Sequence, residues 1–274
     1  MNNDTLQTGS LPWWGDLPFN LGETICWDFA SLRVSILHLE KEWCVWEQHS
    51  DEQDGDTPMV PTMTRHDQTI ARPEKFARFV FTRTHEQLSV LPNLPDRNVV
   101  AKPRTPITLM PGQEVTLFVG AVLWFSVRTL KGELFYDVPL RRLSDTWFGP
   151  SPQVGELCYA SRTHAIIDPQ LLSHRSYRAI VPITIRNENL REPLVIEKIN
   201  VPVTLLELYY TKTGQFWTNS IYLLKEAGSS HVEIKIDSAR RSTFYSVKES
   251  VKLAEPRKPE QHRLILRAYD MLFS

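Results

Sequence analysis

Ile107-Thr108-Leu109-Met110-Pro111-Gly112-Gln113-Glu114-Val115-Thr116-Leu117-Phe118-Val119-Gly120-Ala121-Val122-Leu123-Trp124-Phe125-Ser126-Val127 is the stretch that decides the fold class. Met110-Pro111-Gly112-Gln113 is a turn by composition, because proline presets φ and the glycine after it accepts positive φ. The flanking runs 107–109, 115–119 and 123–127 are rich in the β-branched and aromatic residues that suit a pleated surface. They read as a hairpin-like unit that continues, past Gly120, into a further strand. Leu130-Lys131-Gly132 supplies the next turn and leads into 133–138.

Working outward, Leu32-Arg33-Val34-Ser35-Ile36 alternates apolar and polar side chains at period two, shifts phase near Leu37 and resumes in Glu42-Trp43-Cys44-Val45-Trp46-Glu47. This is one bent strand or two. Residues 76–82 return to a strand-like pattern. After Arg178 come Ile180-Val181-Pro182-Ile183-Thr184-Ile185, Leu194-Val195-Ile196, residues 201–209 and 214–223, and His231-Val232-Glu233-Ile234-Lys235-Ile236-Asp237, the cleanest alternation in the chain. Nineteen prolines against 11 glycines, spread at short intervals, forbid long helices, since each proline removes a hydrogen bond and clashes with the preceding turn. The expected class is all-β, with two β-sandwich-like domains in tandem. Residues 1–168 form the first, with an irregular central loop, and 169–274 an immunoglobulin-like second, joined near Asp168-Pro169. No cysteine follows Cys158, so the inter-sheet bridge of antibody domains is excluded. Residues 264–274 fit a strand and a short helix equally, and no repeat of solenoid or propeller period occurs.

Hydrophobic residues at 42% and charged residues at 23% of 274 place the chain among soluble globular proteins, and no apolar run is long enough to span a bilayer as a helix. Lys+Arg 31 against Asp+Glu 32 leaves a net charge of -1, with no overall positive field to draw in a phosphate backbone, which argues against nucleic acid as the main partner. The polar start lacks the basic and apolar regions of a signal peptide, so the expected location is the cytoplasm. Cys26, Cys44 and Cys158 are odd in number and lack a Cys-x-x-Cys pair, and they read as reduced thiols.

The densest collection of chemically useful side chains runs from Leu140 to Pro150 and from Gly155 to His164. Arg142, Ser144, Asp145, Trp147, Phe148, Glu156 and Arg162 are the candidate binding residues, because an ordered loop aims several polar groups at one point. A purely structural role is equally physical. Ser144 or Asp145 can accept backbone N–H bonds in a turn, Trp147-Phe148 can plug a sandwich end, and Arg142 or Arg162 can pair with Asp145 or Glu156. A Cys158 nucleophile would need a nearby base, yet on an extended strand His164 lies about 20 Å away. Packing as a small apolar group is the stronger expectation. The eight histidines include no pair at metal-ligand spacing, and 51–56 lacks the order of a calcium loop, so neither metal nor cofactor is expected. Glycine-rich phosphate loops are missing. Arg240-Arg241 and Arg257-Lys258 are interrupted by Glu249, Glu255 and Glu260 and read as a solvated edge with room for a small anionic patch to dock, while Trp13-Trp14 fits an anchor to a partner or the membrane interface and, as two aromatics beside Pro12 more often do, a cover for an open end of the core.

Residues 143–150 and 155–163, preceded by Val119-Gly120-Ala121-Val122-Leu123-Trp124, resemble the central part of the prokaryotic family called domain of unknown function 432. The resemblance implies no activity and assigns no residue a catalytic role. It carries an association with small-conductance mechanosensitive channels through gene neighbourhood, and so implies a soluble accessory protein. The resulting expectation is a non-catalytic interaction protein, an auxiliary subunit of such a channel held at the inner face of the membrane through that partner, with no spanning segment of its own. The competing expectation is a small-ligand or carbohydrate binder, or an enzyme, in which Trp147 stacks on the ligand, Arg142 and Arg162 hold an anion, and Asp145 or Glu156 is the acid or base. Convergence of these groups in one concave site would favour the second reading.

Overall fold

Turn glycines and prolines cut the chain into short strands, and alternation within them decides which faces are buried. A computed structural model describes residues 13–50, 60–67, 70–151, 153–171, 175–225, 232–237, 244–245 and 249–259. The acidic run 51–56, Arg240-Arg241 and the final segment 264–274 lie outside the described residues. The strands in chain order are β1 (Gly15–Pro18), β2 (Thr24–Asp28), β3 (Leu32–His38), β4 (Glu42–His49), β5 (Thr62–His66), β6 (Ala77–Val80), β7 (Gln87–Asn93) and β8 (Val99–Ala101). They continue as β9 (Ile107–Leu109), β10 (Glu114–Val122), β11 (Trp124–Arg128), β12 (Leu134–Pro139), β13 (Ser144–Ser151), β14 (Val154–Ala160) and β15 (Arg178–Asn187). After these come β16 (Leu194–Ile196), β17 (Ile199–Val201), β18 (Leu208–Thr211), β19 (Phe216–Thr218), β20 (Ile221–Lys225), β21 (Val232–Ile236) and β22 (Ser250–Ala254). Short 3-10 turns lie at Pro169–Leu171 and Val203–Leu205. The all-β class is therefore as the sequence indicates.

The chain folds as two compact units that are not its linear halves. The first takes the chain up to Pro92 together with Trp124–Arg141; the second takes Asn93–Leu123 and the part from Arg142 onward. The break expected near Asp168-Pro169 falls inside the second unit, between β10 and β15, which pair antiparallel from Glu114↔Arg186 to Val122↔Arg178. A turn with proline looks like a boundary in sequence, but the pairing of the strands on either side makes it internal.

The first unit contains two sheets, ordered β1-β7-β11-β12 and β5-β2-β3-β4-β6. The phase shift near Leu37 ends β3, and β3 and β4 are two strands of a hairpin. Trp27, Trp43 and Phe125 are fully buried side chains of this core. Trp13 closes it as expected, stacked 5.9 Å from Phe125 and edge-on to Phe29 at 5.0 Å. Its carbonyl accepts the Trp27 indole N–H at 2.9 Å. A second cluster, Leu37, Cys44 and Trp46, is covered by Leu39 and Phe76. Ala30 adopts φ 68° in the β2–β3 turn, and the buried Arg141 holds that turn by donating to the Phe29 carbonyl and, at 2.5 Å, to the Ser31 hydroxyl.

The second unit is built on β15. One edge carries β10, and the other carries β19 and then β20, both parallel to it. β18 and β22 follow beyond β19, and β21 beyond β20. The pairing around β15 is therefore mixed, antiparallel to β10 and parallel to β19 and β20. Between β19 and β20 the chain is interrupted at Asn219, whose buried amide accepts the Glu207 N–H at 3.0 Å and donates to the Asp237 carbonyl at 3.2 Å. The Met110–Gln113 turn forms as read, with Gly112 at φ 70° and Gln113 N–H donating to Met110 O at 3.1 Å. The expected β9–β10 hairpin does not: β9 pairs with β16 and β10 with β15. A third sheet, β13-β14-β8-β17, completes the unit.

Candidate functional site

The segment expected to be an irregular loop is a β-hairpin. β13 and β14 pair from Ser144↔Ala160 through Phe148↔Glu156 to Ser151↔Val154, with a register shift between Phe148 and Ser151. Gly149 and Gly155 break the hydrophobic pattern because they face each other. A Cβ on Gly149 would lie 2.4 Å from the Gly155 Cα, and one on Gly155 would lie 2.6 Å from the Phe148 carbonyl oxygen. β14 meets β8 only through Tyr159↔Val99 and Ala160↔Val100, so most of the hairpin extends past the end of β8 as a two-stranded arm with β13 outermost.

Directly opposed residues share a face of an antiparallel pair. Asp145, Trp147, Leu157 and Tyr159 therefore stand on one face, and Thr146, Phe148, Glu156 and Cys158 on the other. On the first face Trp147 and Leu157 are opposed neighbours, each 45% exposed. The Trp147 indole N–H donates to the Ser151 carbonyl at 3.0 Å, and its ring lies over Gly155. Arg97 sits over the Tyr159 ring at 5.2 Å and pairs with Asp145 at 3.2 Å, while the Tyr159 hydroxyl donates to Asp96 at 2.9 Å. Burial and that bond push the Tyr159 phenol up to about 12.

On the second face Phe148 and Cys158 are fully buried with Val100, and the Lys198 ammonium lies 5.0 Å from the Phe148 ring centre. Glu156 Oε1 accepts from the Asn98 amide at 3.0 Å and from the Asn200 amide. Asn98 in turn accepts from the Thr204 hydroxyl at 3.1 Å. The carboxylate thus ties β14 to the chain before β8 and to β17. Burial, reinforced by the Glu156 charge, pushes the Cys158 thiol up to about 12. A thiol so placed supplies no thiolate near neutral pH, and His164, its proposed base, is exposed while Cys158 is buried.

The candidate residues do not converge on one point. Arg142 is exposed just ahead of β13, Ser144 is exposed at its start, and Arg162 is exposed beyond β14. Asp145 and Trp147 face away from Phe148 and Glu156. The partners seen for the two carboxylates are Arg97, Asn98 and Asn200, none of which the sequence flagged. They lie 44 to 58 residues away along the chain, where no spacing rule reaches. Among the described residues no three metal-ligating side chains come together, and no helix is long and apolar enough to cross a membrane.

A family model described as protein of unknown function (DUF432) matches residues 13–273. No curated protein and no solved structure matches the chain.

Proposed function

The chain belongs to the DUF432 family, and from its geometry we propose that it is a non-catalytic interaction protein whose contact element is the β13–β14 arm. The observation that carries this reading is the opposed pair Trp147 and Leu157, both half-exposed on an arm whose outer strand pairs with β14 and has no second strand partner among the described residues. Large aromatic and aliphatic side chains held rigid at the surface are what the centre of a protein interface is made of, and an open strand edge adds backbone hydrogen bonds to such a contact. The charged groups nearby are engaged in holding the arm: Asp145 with Arg97, and Glu156 with two amides. That arrangement leaves the ligand-binding reading without a convergent site, because its proposed stacking ring and one of its proposed acids stand on opposite faces of the hairpin.

The partner to test first is the soluble part of a small-conductance mechanosensitive channel, which would place the protein in the cytoplasm against the inner face of the membrane. The experiment is cross-linked co-purification from native membranes with the wild type and with Trp147→Ala, together with channel recordings in a deletion strain. Recovery of the channel by the wild type and its loss with Trp147→Ala is the expected result. Identical recovery from both proteins, or no recovery with unchanged channel behaviour, overturns the proposal.

A further inference from the structure

The hydrogen bonds of β14 fix which way the backbone of β13 faces. Tyr159 N–H donates to the Asn98 carbonyl at 2.9 Å and Ser161 N–H to the Val100 carbonyl at 2.7 Å, so Tyr159 turns its peptide groups toward β8 and away from β13. In an antiparallel pair a residue directs its N–H and its C=O to the same neighbour, and hydrogen-bonded pairs alternate with non-hydrogen-bonded ones. Asp145↔Tyr159 is therefore a non-hydrogen-bonded pair, and so is Trp147↔Leu157, while Ser144, Thr146 and Phe148 direct their peptide groups to β14. The N–H and C=O of Asp145 and of Trp147 consequently face outward, along the edge that has no second strand among the described residues. The residues with exposed side chains on the first face are the same two whose backbone is open.

This open edge is short. Ser144 turns inward at one end; at the other the register shifts after Phe148, and Pro150 has no N–H to offer. Bulges and prolines close an edge to pairing, and between these limits only Asp145 and Trp147 offer a donor and an acceptor each. Their side chains differ in chemistry. The Asp145 side chain is 60% exposed and presents Oδ1 to Arg97. Asp96, Asp145 and Arg97 all gather at the Tyr159 side chain, two carboxylates to one guanidinium, which leaves this end of the face negative. Trp147, beside Leu157, makes the other end apolar.

We propose that β13 accepts a short extended segment of the protein partner as an added antiparallel strand, with a large apolar residue opposite Trp147 and, two residues later, a lysine or arginine opposite Asp145. The inference rests on the arm being the contact element. Antiparallel addition lets each open residue exchange both of its bonds with one partner residue, and residues so opposed share a face with Asp145 and Trp147. The apolar residue comes first because the added strand runs against β13, in which Asp145 precedes Trp147. An edge of this length covers far less than the roughly 1,200 Å² of a standard interface, which suits a linear segment and not a second folded copy of this chain.

The probe is the capped peptide acetyl-Ser-Thr-Leu-Thr-Lys-Thr-Ser-amide, titrated into the full chain and followed by amide NMR. The Asp145 and Trp147 amides should move downfield and gain exchange protection, while those of Thr146 and Phe148, already bonded to β14, change little. Exchanging the peptide lysine for glutamate should weaken binding about three- to tenfold, a preference that shrinks to within about twofold in Asp145→Asn. N-methylation of the peptide leucine or lysine, whose N–H groups meet β13, should weaken binding about tenfold; N-methylation of the threonine between them, whose N–H points away, should weaken it less. The methylated series needs only the wild-type chain. Absence of binding, equal loss from all three methylations, no preference for lysine, or shifts confined to residues outside 144–148 overturns strand addition. So does a concentration-dependent dimer of the chain alone that Trp147→Ala abolishes, since a second copy would then hold the edge. Any of these results, with the partner still lost from Trp147→Ala in co-purification, removes strand addition and leaves the contact reading standing; equal recovery by Trp147→Ala and wild type removes the contact reading and this inference with it.

Discussion

Trp147 and Phe148 are consecutive residues of one strand, and replacing each by alanine separates a contact surface from a core. Phe148 is fully buried against Val100 and Cys158, so Phe148→Ala should cost about 3 to 5 kcal/mol, the transfer term plus the cavity that the pinned strands cannot close. Trp147 is 45% exposed. About half of a tryptophan's 150 to 250 Å², roughly 100 Å², is thus removed from water, which at about 25 cal/mol per Å² gives an upper limit near 2.5 kcal/mol. A compact unfolded state lowers that by about 10 to 40%, to about 1.5 to 2 kcal/mol. Urea unfolding of both variants, followed by far-UV circular dichroism, should therefore place Trp147→Ala about 2 kcal/mol above Phe148→Ala, with m values close to wild type. Equal destabilisation, or a larger loss with Trp147→Ala, would show that the indole is a packing element and would remove the argument that its exposure serves a partner.

Three further outcomes follow from the same contacts. Gly120→Ala would set a Cβ 2.3 Å from the Arg178 Cδ and 3.0 Å from the Thr163 hydroxyl; a loss of about 1 to 3 kcal/mol is expected, partly relieved in a double variant with Arg178→Ala, and additive losses in thermal melts would refute the clash. Arg141→Met removes the donor that holds the β2–β3 turn at Ala30 and should cost about 2 kcal/mol in urea titration, since a buried acceptor loses a charge-assisted bond; a change within about 0.5 kcal/mol would refute it. Cys158, buried and with its thiol pushed up to about 12, should resist iodoacetamide at pH 8 in the native protein and react after unfolding; rapid native labelling mapped to Cys158 by peptide mass would overturn that assignment.

Local signals were legible and long-range ones were not, for a reason visible at particular residues. Pro111-Gly112 announces its turn because φ preferences belong to two adjacent residues. Which strands that turn serves is settled by Glu114↔Arg186 and its eight successors, a pairing between segments more than 50 residues apart that leaves no local mark. The same limit explains the domain boundary, since the chain enters the second unit at Asn93, leaves it at Trp124 and returns at Arg142. The candidate residues were found because they are concentrated in one segment. Their partners Arg97, Asn98 and Asn200 were missed because a side chain's neighbour across a sheet is fixed by register, not by spacing. Gly149, Pro150 and Gly155 were read as loop residues, although the two glycines are what lets the strands approach.

The arm's stability bears directly on why an exposed tryptophan persists there. A two-stranded hairpin free of a larger sheet is marginal in water, and β14 has only Tyr159 and Ala160 joined to β8. Phe148 and Cys158 anchor its second face against Val100, and Glu156 fastens it to Asn98 and Asn200. All of these except the Tyr159–Arg97–Asp145 group act from the second face. Trp147 and Leu157 could each be polar without removing any of those anchors. On the proposed reading, a half-exposed apolar pair that contributes less to stability than the buried Phe148, set on a face held in place by contacts beneath it, serves as a pre-ordered docking element, for which little side-chain entropy remains to be lost on association. Restoring a polar surface with Leu157→Ser should accordingly leave the hairpin's amide protection intact while abolishing partner recovery; a collapse of protection along 144–160 would mean that the pair is a structural requirement of the arm.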